Sequence, residues 1–271
     1  MPELPEVETI ARGLQRAIAG KTIAAVDVTL PKIAVAPPGR RFSTSLQRDT
    51  IRRVTRRGKY VVFDLRSGRR LVTSLRMTGR LIVQANAALE LLPYTHVALR
   101  FTDGSRLCFS EMRQFGRMRL VEADEPWDAA LGVEPLESSF TARAFIGMLS
   151  GRSGAIKVFL LDQRRIAGIG NIYACEALWE ARIRPDKPAG SLTKPAIRRL
   201  HAAIVDVLTR ATDLRGTSVD DYVDAEGLRG GFQNRLSVYG REGQKCPRCG
   251  SLIVRTVLGQ RGTWWCRRCQ K

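Results

Sequence analysis

The sequence predicts an α+β multidomain chain, and three observations carry that reading. The first 122 residues hold many short strand-like segments with no helical pattern between them. An amphipathic helical pattern follows, and the chain closes on two Cys-x-x-Cys knuckles. With 271 residues, 44% of them hydrophobic, there is enough apolar material for two domains or one large one.

The first element is a helix: Val7, Ile10, Leu14 and Ile18 recur at spacings of three and four, and Gly20 stands where a helix end needs positive φ. Glu3, Glu6 and Glu8 crowd its first turn, which ordinary complementation of the helix dipole explains in part. From Lys21 to Glu122 the pattern is of strands, among them 22–28, 60–65, 70–75, 80–84, 96–101 and 106–109. Asp103-Gly104 between the last two is a two-residue hairpin turn. Such a run predicts an antiparallel β-sandwich or barrel with flanking helices.

Residues 123–137 turn acidic and Pro-bearing, without Lys or Arg, and read as an interdomain linker. Helices are then predicted over 141–149, 155–161, 171–182 and 194–210. Between the second and third, Gly168 and Gly170 permit close backbone approach before a helix capped by Asn171; its free N–H groups suit a phosphate, although a plain helix-helix turn fits equally well. The expected domains are 1–122, 138–240 and 241–271.

Charge narrows the function. Lys and Arg total 45 against 26 Asp and Glu, a formal net charge of +19. An excess this large calls for a polyanion, with nucleic acid favoured and a membrane surface or ribosomal RNA as the main rivals. Thirteen basic residues lie between Arg40 and Arg80 with only Asp49 and Asp64 opposing, and eight lie between Arg241 and Lys271 with only Glu242. Two basic surfaces suggest a duplex gripped from two sides. No stretch approaches the roughly 18 apolar residues of a membrane helix, and the start is acidic, so the chain reads as cytoplasmic.

Cys246-x-x-Cys249 and Cys266-x-x-Cys269, sixteen residues apart, match a closed four-thiolate site for one structural zinc ion; a pair of redox dithiols is the alternative. Cys108 and Cys175 fall in a strand and a helix pattern as buried thiols. Only two histidines occur, His96 and His201, so histidine-based hydrolysis is hard to build and the chemistry must rest on carboxylates, lysines or an amine.

The motifs MPELPEVETI, Arg57-Gly-Lys59-Tyr60, Leu75-Arg-Met77-Thr-Gly79, Gln114-Phe115-Gly116, Leu131-Gly-Val-Glu-Pro-Leu136, Gly168-Ile-Gly170-Asn171-Ile-Tyr173 and Val238-Tyr-Gly-Arg241 run in order into the paired knuckles. In this the chain resembles the formamidopyrimidine-DNA glycosylase family from first residue to last. The resemblance implies an N-terminal β-sandwich, a helix-two-turn-helix domain and a zinc ribbon, with DNA in the cleft between the halves. It also implies a monomeric bacterial enzyme, nucleoid-associated, that excises oxidised purines from double-stranded DNA and cleaves abasic sites.

The implied nucleophile is Pro2, a secondary amine once Met1 is removed. An α-amino group titrates at about 8, well below lysine at about 10.4, so part of it is unprotonated at neutral pH. Glu3 resembles the family's general acid and Glu6 the second acid that organises the N-terminus; Lys59 and Arg261 resemble the groups placed at the phosphates. Met77, Arg113 and Phe115 resemble the wedge that fills the gap left by a flipped nucleotide, with Arg113 reading the orphaned cytosine. Asn171, Lys157 and Arg261 are expected to hold the DNA backbone.

Some positions depart from the family pattern. Glu111-Met112-Arg113-Gln114-Phe115-Gly116 stands where Asp-Pro-Arg-Arg-Phe-Gly is common, and Ser74 where a histidine often precedes Leu75. Tyr94 takes a position often given to a DNA-contacting histidine, and Ser153 replaces a lysine, with Arg152 beside it as a substitute. Two other readings stay open: an endonuclease VIII-like enzyme for oxidised pyrimidines, against which Leu4 and the intact Arg113/Phe115 pair argue, and a non-catalytic zinc-ribbon DNA-binding protein.

Overall fold

The computed structural model describes residues 1–219 and 222–271. It divides into two compact units, residues 1–129 with 214–231, and residues 130–213 with 232–271.

In the first unit α1 (Leu4–Ile18) carries the predicted stripe, and Leu4, Val7, Ile10, Leu14 and Ile18 are all buried. Gly20 has φ +85°, as the helix end requires. Strands follow as β1 (Ile23–Val28), β2 (Ala34–Val35), β3 (Ile51–Arg57), β4 (Tyr60–Leu65), β5 (Arg70–Ser74), β6 (Arg80–Gln84), β7 (Thr95–Phe101), β8 (Arg106–Ser110) and β9 (Arg117–Val121). A short helix α2 (Phe42–Leu46) precedes β3. The strands form a four-stranded sheet in the order β1-β7-β8-β6 and a five-stranded sheet in the order β2-β9-β5-β4-β3. Val61, Phe63 and Leu71 from one sheet, Leu99, Leu107 and Phe109 from the other, and the buried face of α1 make one core. The sandwich is antiparallel except at one edge, where two-residue β2 pairs parallel with β9.

Strand β3 escapes the sequence reading because arginine hides its alternation: Arg52, Arg53, Arg56 and Arg57 occupy four of its seven positions. Their guanidiniums reach out of the sheet; Arg56 donates to Glu8 at 3.0 Å and Arg57 to Asp128 at 3.0 Å.

The boundary between the two units falls inside the segment 123–137, between Ala129 and Ala130, and each part of the segment packs on its own unit. Trp127 packs edge-on against Tyr60, with ring centroids 5.7 Å apart, covering Val62, Val72 and Val121 on the outer face of the sheet. In the second unit Gly132 and Val133 donate to the carbonyls of Gln163 and Arg165 at 2.8 and 3.1 Å. A correction concerns 214–231, expected within the domain 138–240: it packs with the first unit. Asp220 and Asp221 within it lie outside the described residues.

The second unit contains α3 (Ala142–Leu149), α4 (Ile156–Leu161), α5 (Asn171–Glu180), α6 (Lys194–Asp213), and the hairpin of β10 (Ile253–Leu258) and β11 (Arg261–Cys266). Thr141 caps α3 by accepting the Ala144 N–H at 3.1 Å. Asn171 is the first helical residue of α5, and Gly170, not Asn171, occupies the cap. Glu176, buried on α5, accepts the N–H groups of Ser237, Val238 and Tyr239 at 2.8–2.9 Å and ties the ribbon to the helices. The ribbon (241–271) and the helices therefore form one unit. No helix among the described residues is long and apolar enough to cross a membrane.

Candidate functional site

Three groups of side chains emerge, each within one unit. The first surrounds the N-terminus of α1. Pro2, Glu3 and Glu6 are buried, and Glu3 and Glu6 form a reciprocal capping box in which the Glu3 N–H donates to Glu6 Oε2 at 2.7 Å. The other oxygen of Glu6 accepts the Thr217 N–H at 2.7 Å, so the segment 214–231 is fastened to this end of the helix. Gly216 has φ +79°, and a Cβ there would lie 2.7 Å from Glu6 Oε1, so only glycine lets the chain pass. Tyr222 donates to the Arg215 carbonyl at 3.1 Å; burial, then the charges of Glu6 and Asp224, hold its phenol well above the usual range.

The second group is built on two adjoining loops. Met77 and Phe115 are exposed, and the Arg113 guanidinium lies 5.0 Å from the centre of the Phe115 ring. Beneath them Glu111, 0% exposed, accepts the N–H groups of Arg113 at 3.1 Å and Phe115 at 3.0 Å, the N–H of Gly116 and the hydroxyl of Thr78. A single carboxylate thus joins the Met77 loop to the Arg113/Phe115 loop. Tyr94, exposed with φ +60°, accepts the Glu111 N–H on its carbonyl at 3.0 Å.

The third group gathers around the carbonyl of Gly262, beside exposed Arg261 at the tip of the β10–β11 hairpin. It accepts from Asn171 Nδ2 at 3.0 Å and Lys157 Nζ at 3.0 Å, and Lys157 also donates to Thr263 Oγ1 at 2.6 Å. The expectation that Lys157 holds a DNA phosphate needs correction: the side chain is 0% exposed and its ammonium is committed to the hairpin. The buried Oδ1 of Asn171 has no protein partner among the described residues. Arg152 is exposed in the turn before α4 and joins none of these groups; its N–H donates to the Leu149 carbonyl at 3.2 Å.

At the other end of the hairpin the sulfurs of Cys246, Cys249, Cys266 and Cys269 lie within 4.8 Å of one another. The Cys246–Cys269 and Cys249–Cys266 separations are 3.9 and 3.5 Å, and tetrahedral zinc with Zn–S of about 2.3 Å requires about 3.8 Å. The Ser251 hydroxyl and N–H hold the Cys249 thiol down to about 6, whereas burial and then the neighbouring sulfurs push Cys269 up to about 12. Four sulfurs this close cannot all ionise without a cation between them. They are positioned to bind one zinc ion.

Comparison with known proteins accounts for nearly the whole chain. The formamidopyrimidine-DNA glycosylase N-terminal domain matches residues 1–118, its H2TH domain 131–223, and the zinc finger found in FPG and IleRS 243–271. The chain belongs to the formamidopyrimidine-DNA glycosylase family. The family's protein from Pelotomaculum thermopropionicum is 45% identical over 100% of this chain and 99% of its own, and that from Enterococcus faecalis 43% over 100% and 98%. Among solved structures, a point mutant of the Lactococcus lactis FPG in complex with Fapy-dG-containing DNA superposes with a TM-score of 0.93 at 35% identity, covering both chains fully. The MutM (FPG) protein from Thermus thermophilus gives 0.88 at 41% identity, covering 99% of this chain and 98% of that one.

Within this family frame the sequence alone misses Glu111, Thr78, Gly216 and Thr217. Glu111 had a trace, since it stands at the aspartate of the family motif, but only the folded loops reveal what its carboxylate holds. Gly216 and Thr217 left none, because their partner Glu6 lies over 200 residues away in sequence.

Proposed function

We propose that this chain is a bifunctional DNA glycosylase and abasic-site lyase that removes 8-oxoguanine and formamidopyrimidines from duplex DNA in the bacterial cytoplasm, at the nucleoid, as a monomer. The observation that carries the reading is the buried pair Glu3 and Glu6 interlocked directly behind Pro2. With Met1 removed, the Pro2 nitrogen attacks C1′, the bond from C1′ to the base breaks, and the base leaves with the bonding electrons and takes up a proton. Glu3 donates a proton to the sugar ring oxygen as the ring opens, and the proline nitrogen, having lost its proton, forms an iminium with C1′.

The iminium acidifies C2′–H. Loss of that proton expels the 3′ phosphate, and a second elimination expels the 5′ phosphate. Water then releases the sugar remnant from Pro2. Lys59 and Arg261 stabilise the departing phosphates as cations. Glu6, held by the N–H groups of Glu3 and Thr217, acts as a positioning residue. Met77 and Phe115 fill the vacated space in the helix and Arg113 bonds the orphaned cytosine, while Asn171, Arg152 and Tyr94 contact the backbone.

Borohydride trapping tests the reading. Processed protein should yield a stable adduct with a duplex containing 8-oxoguanine opposite cytosine, mapped to the N-terminal peptide, and protein retaining Met1 should yield none. Equal trapping by both forms, with the crosslink at Lys59, would overturn the proline route. Excision should be faster for 8-oxoguanine than for thymine glycol, and poor opposite adenine. One relative has been solved with DNA containing an oxidised pyrimidine, which favours slow pyrimidine excision as a second activity.

A further inference from the structure

The second unit has a basic cleft remote from two of its expected DNA contacts, Asn171 and Arg261; the third, Arg152, adjoins the cleft wall, its carbonyl accepting the Gly190 N–H at 2.7 Å. Asn171 begins α5 and Arg261 lies at the tip of the β10–β11 hairpin, whereas the cleft opens at the opposite end of both, beside Arg182 after the helix and Cys249 and Cys269 at the hairpin base. Ten helical residues span about 15 Å and six strand residues about 20 Å, so a phosphate at Asn171 or Arg261 is out of reach of the cleft.

The cleft measures about 590 Å³, and no Asp or Glu among the described residues lines it. Arg182, Lys187, Arg199, Arg268 and Lys271 line it without an ion-pair partner among the described residues. A sixth, Arg248, is fixed by stacking 3.9 Å from the Trp179 ring centre and by Glu180 at 3.7 Å. Zinc with four thiolates carries two net negative charges, which leaves cations in excess. Such an excess around one concavity is self-repulsive until phosphates neutralise it. The start of α6 adds the Thr193 hydroxyl and the positive end of a twenty-residue helix dipole.

We propose that this cleft binds the phosphodiester backbone of a second DNA segment, so that the protein holds one duplex at its lesion-reading face and another at the base of the ribbon. Two contacts of this kind let an enzyme pass between segments without full release. The cations surround an apolar floor of Ile183, Leu192 and Ala196.

The test uses full-length zinc-loaded protein and two short duplexes in different colours, each long enough for one protein. One carries a tetrahydrofuran abasic analogue and the other is undamaged. Two-colour sedimentation at low salt should find both duplexes on one protein. The double variant Lys187→Glu/Arg199→Glu should weaken the second duplex at least tenfold and change the first less than twofold. Arg198→Glu makes the same kind of charge change one position along α6, outside the cleft, and should keep both. A wild-type complex of one duplex only, or equal weakening by Arg198→Glu, overturns the proposal. Tripolyphosphate binding that the double variant abolishes, with no second duplex bound, would mark a small-anion pocket and overturn it as well. Excision of 8-oxoguanine measured on the same preparations reports separately on the reading above.

Discussion

The ammonium of Lys157 on α4 donates to Thr263 Oγ1 on β11 at 2.6 Å and to the neighbouring Gly262 carbonyl at 3.0 Å, from a fully buried position. This bond pair fixes the hairpin tip that carries Arg261. Lys157 thus braces the hairpin from beneath.

Lys157→Met should leave a buried carbonyl and hydroxyl short of a donor, lowering stability by about 1–3 kcal/mol. Thermal unfolding measures that cost. Wild-type binding to undamaged duplex should weaken with salt at a log–log slope of magnitude at least about 4. The variant should bind more weakly with that slope unchanged, because no phosphate contact is removed. A slope smaller by about 1 would instead mark Lys157 as a direct phosphate ligand.

Glu111→Ala should detach the Arg113/Phe115 loop from the Met77 loop. The N–H groups of Phe115 and Gly116 lose their acceptor and that of Arg113 keeps only the Thr78 hydroxyl at 3.2 Å, at a cost of about 2–3 kcal/mol in stability. Single-turnover excision of 8-oxoguanine opposite cytosine should slow more than opposite adenine, narrowing the preference. Cleavage at a preformed abasic site should persist. An unchanged cytosine-to-adenine ratio would show that Glu111 does not position Arg113.

Gly216→Ala places a methyl group 2.7 Å from Glu6 Oε1 on a backbone with φ +79°. The strain alone costs about 1–2 kcal/mol, and relief requires Glu6 to shift from the Glu3 and Thr217 N–H groups. Trapping yield should fall at least tenfold while binding of undamaged duplex stays within about threefold. Equal trapping by variant and wild type would disconnect the segment 214–231 from the N-terminus.

Acidification should release zinc. The Cys249 thiol is held down to about 6, below its ordinary value, so the thiolate is present above that pH and protonates as pH falls through it. Each bound proton competes with the metal, so zinc retention is strong at neutral pH and lost on the acid side, with zinc-bound thiolates resisting to still lower pH. Chelation at neutral pH should unfold the ribbon, and with it DNA binding, while the sandwich keeps its strand signal in circular dichroism. A reduced, active preparation without zinc by elemental analysis would refute the four-thiolate site.

The stripe of α1, the place of the Asp103-Gly104 turn, though its loop spans three residues (102–104) and not the expected two, six of the strands, the helices of the second unit and the four-cysteine cluster were legible in the sequence. Each is a local pattern: a period of 3.6 or 2, a turn dipeptide, a ligand spacing. Met77, Arg113 and Phe115 were legible only through a family motif, because a methionine and a phenylalanine in strand patterns ordinarily face a core. Tertiary structure alone decided the rest. It drew 214–231 out of the helical region to bond Glu6, buried Lys157 beneath the hairpin, made Glu111 the tie between two loops, and set around one cleft at the ribbon base five cations without ion-pair partners among the described residues. In each case the partners are far apart in the chain, and their contact depends on how whole elements pack; no periodicity or spacing along one segment encodes it.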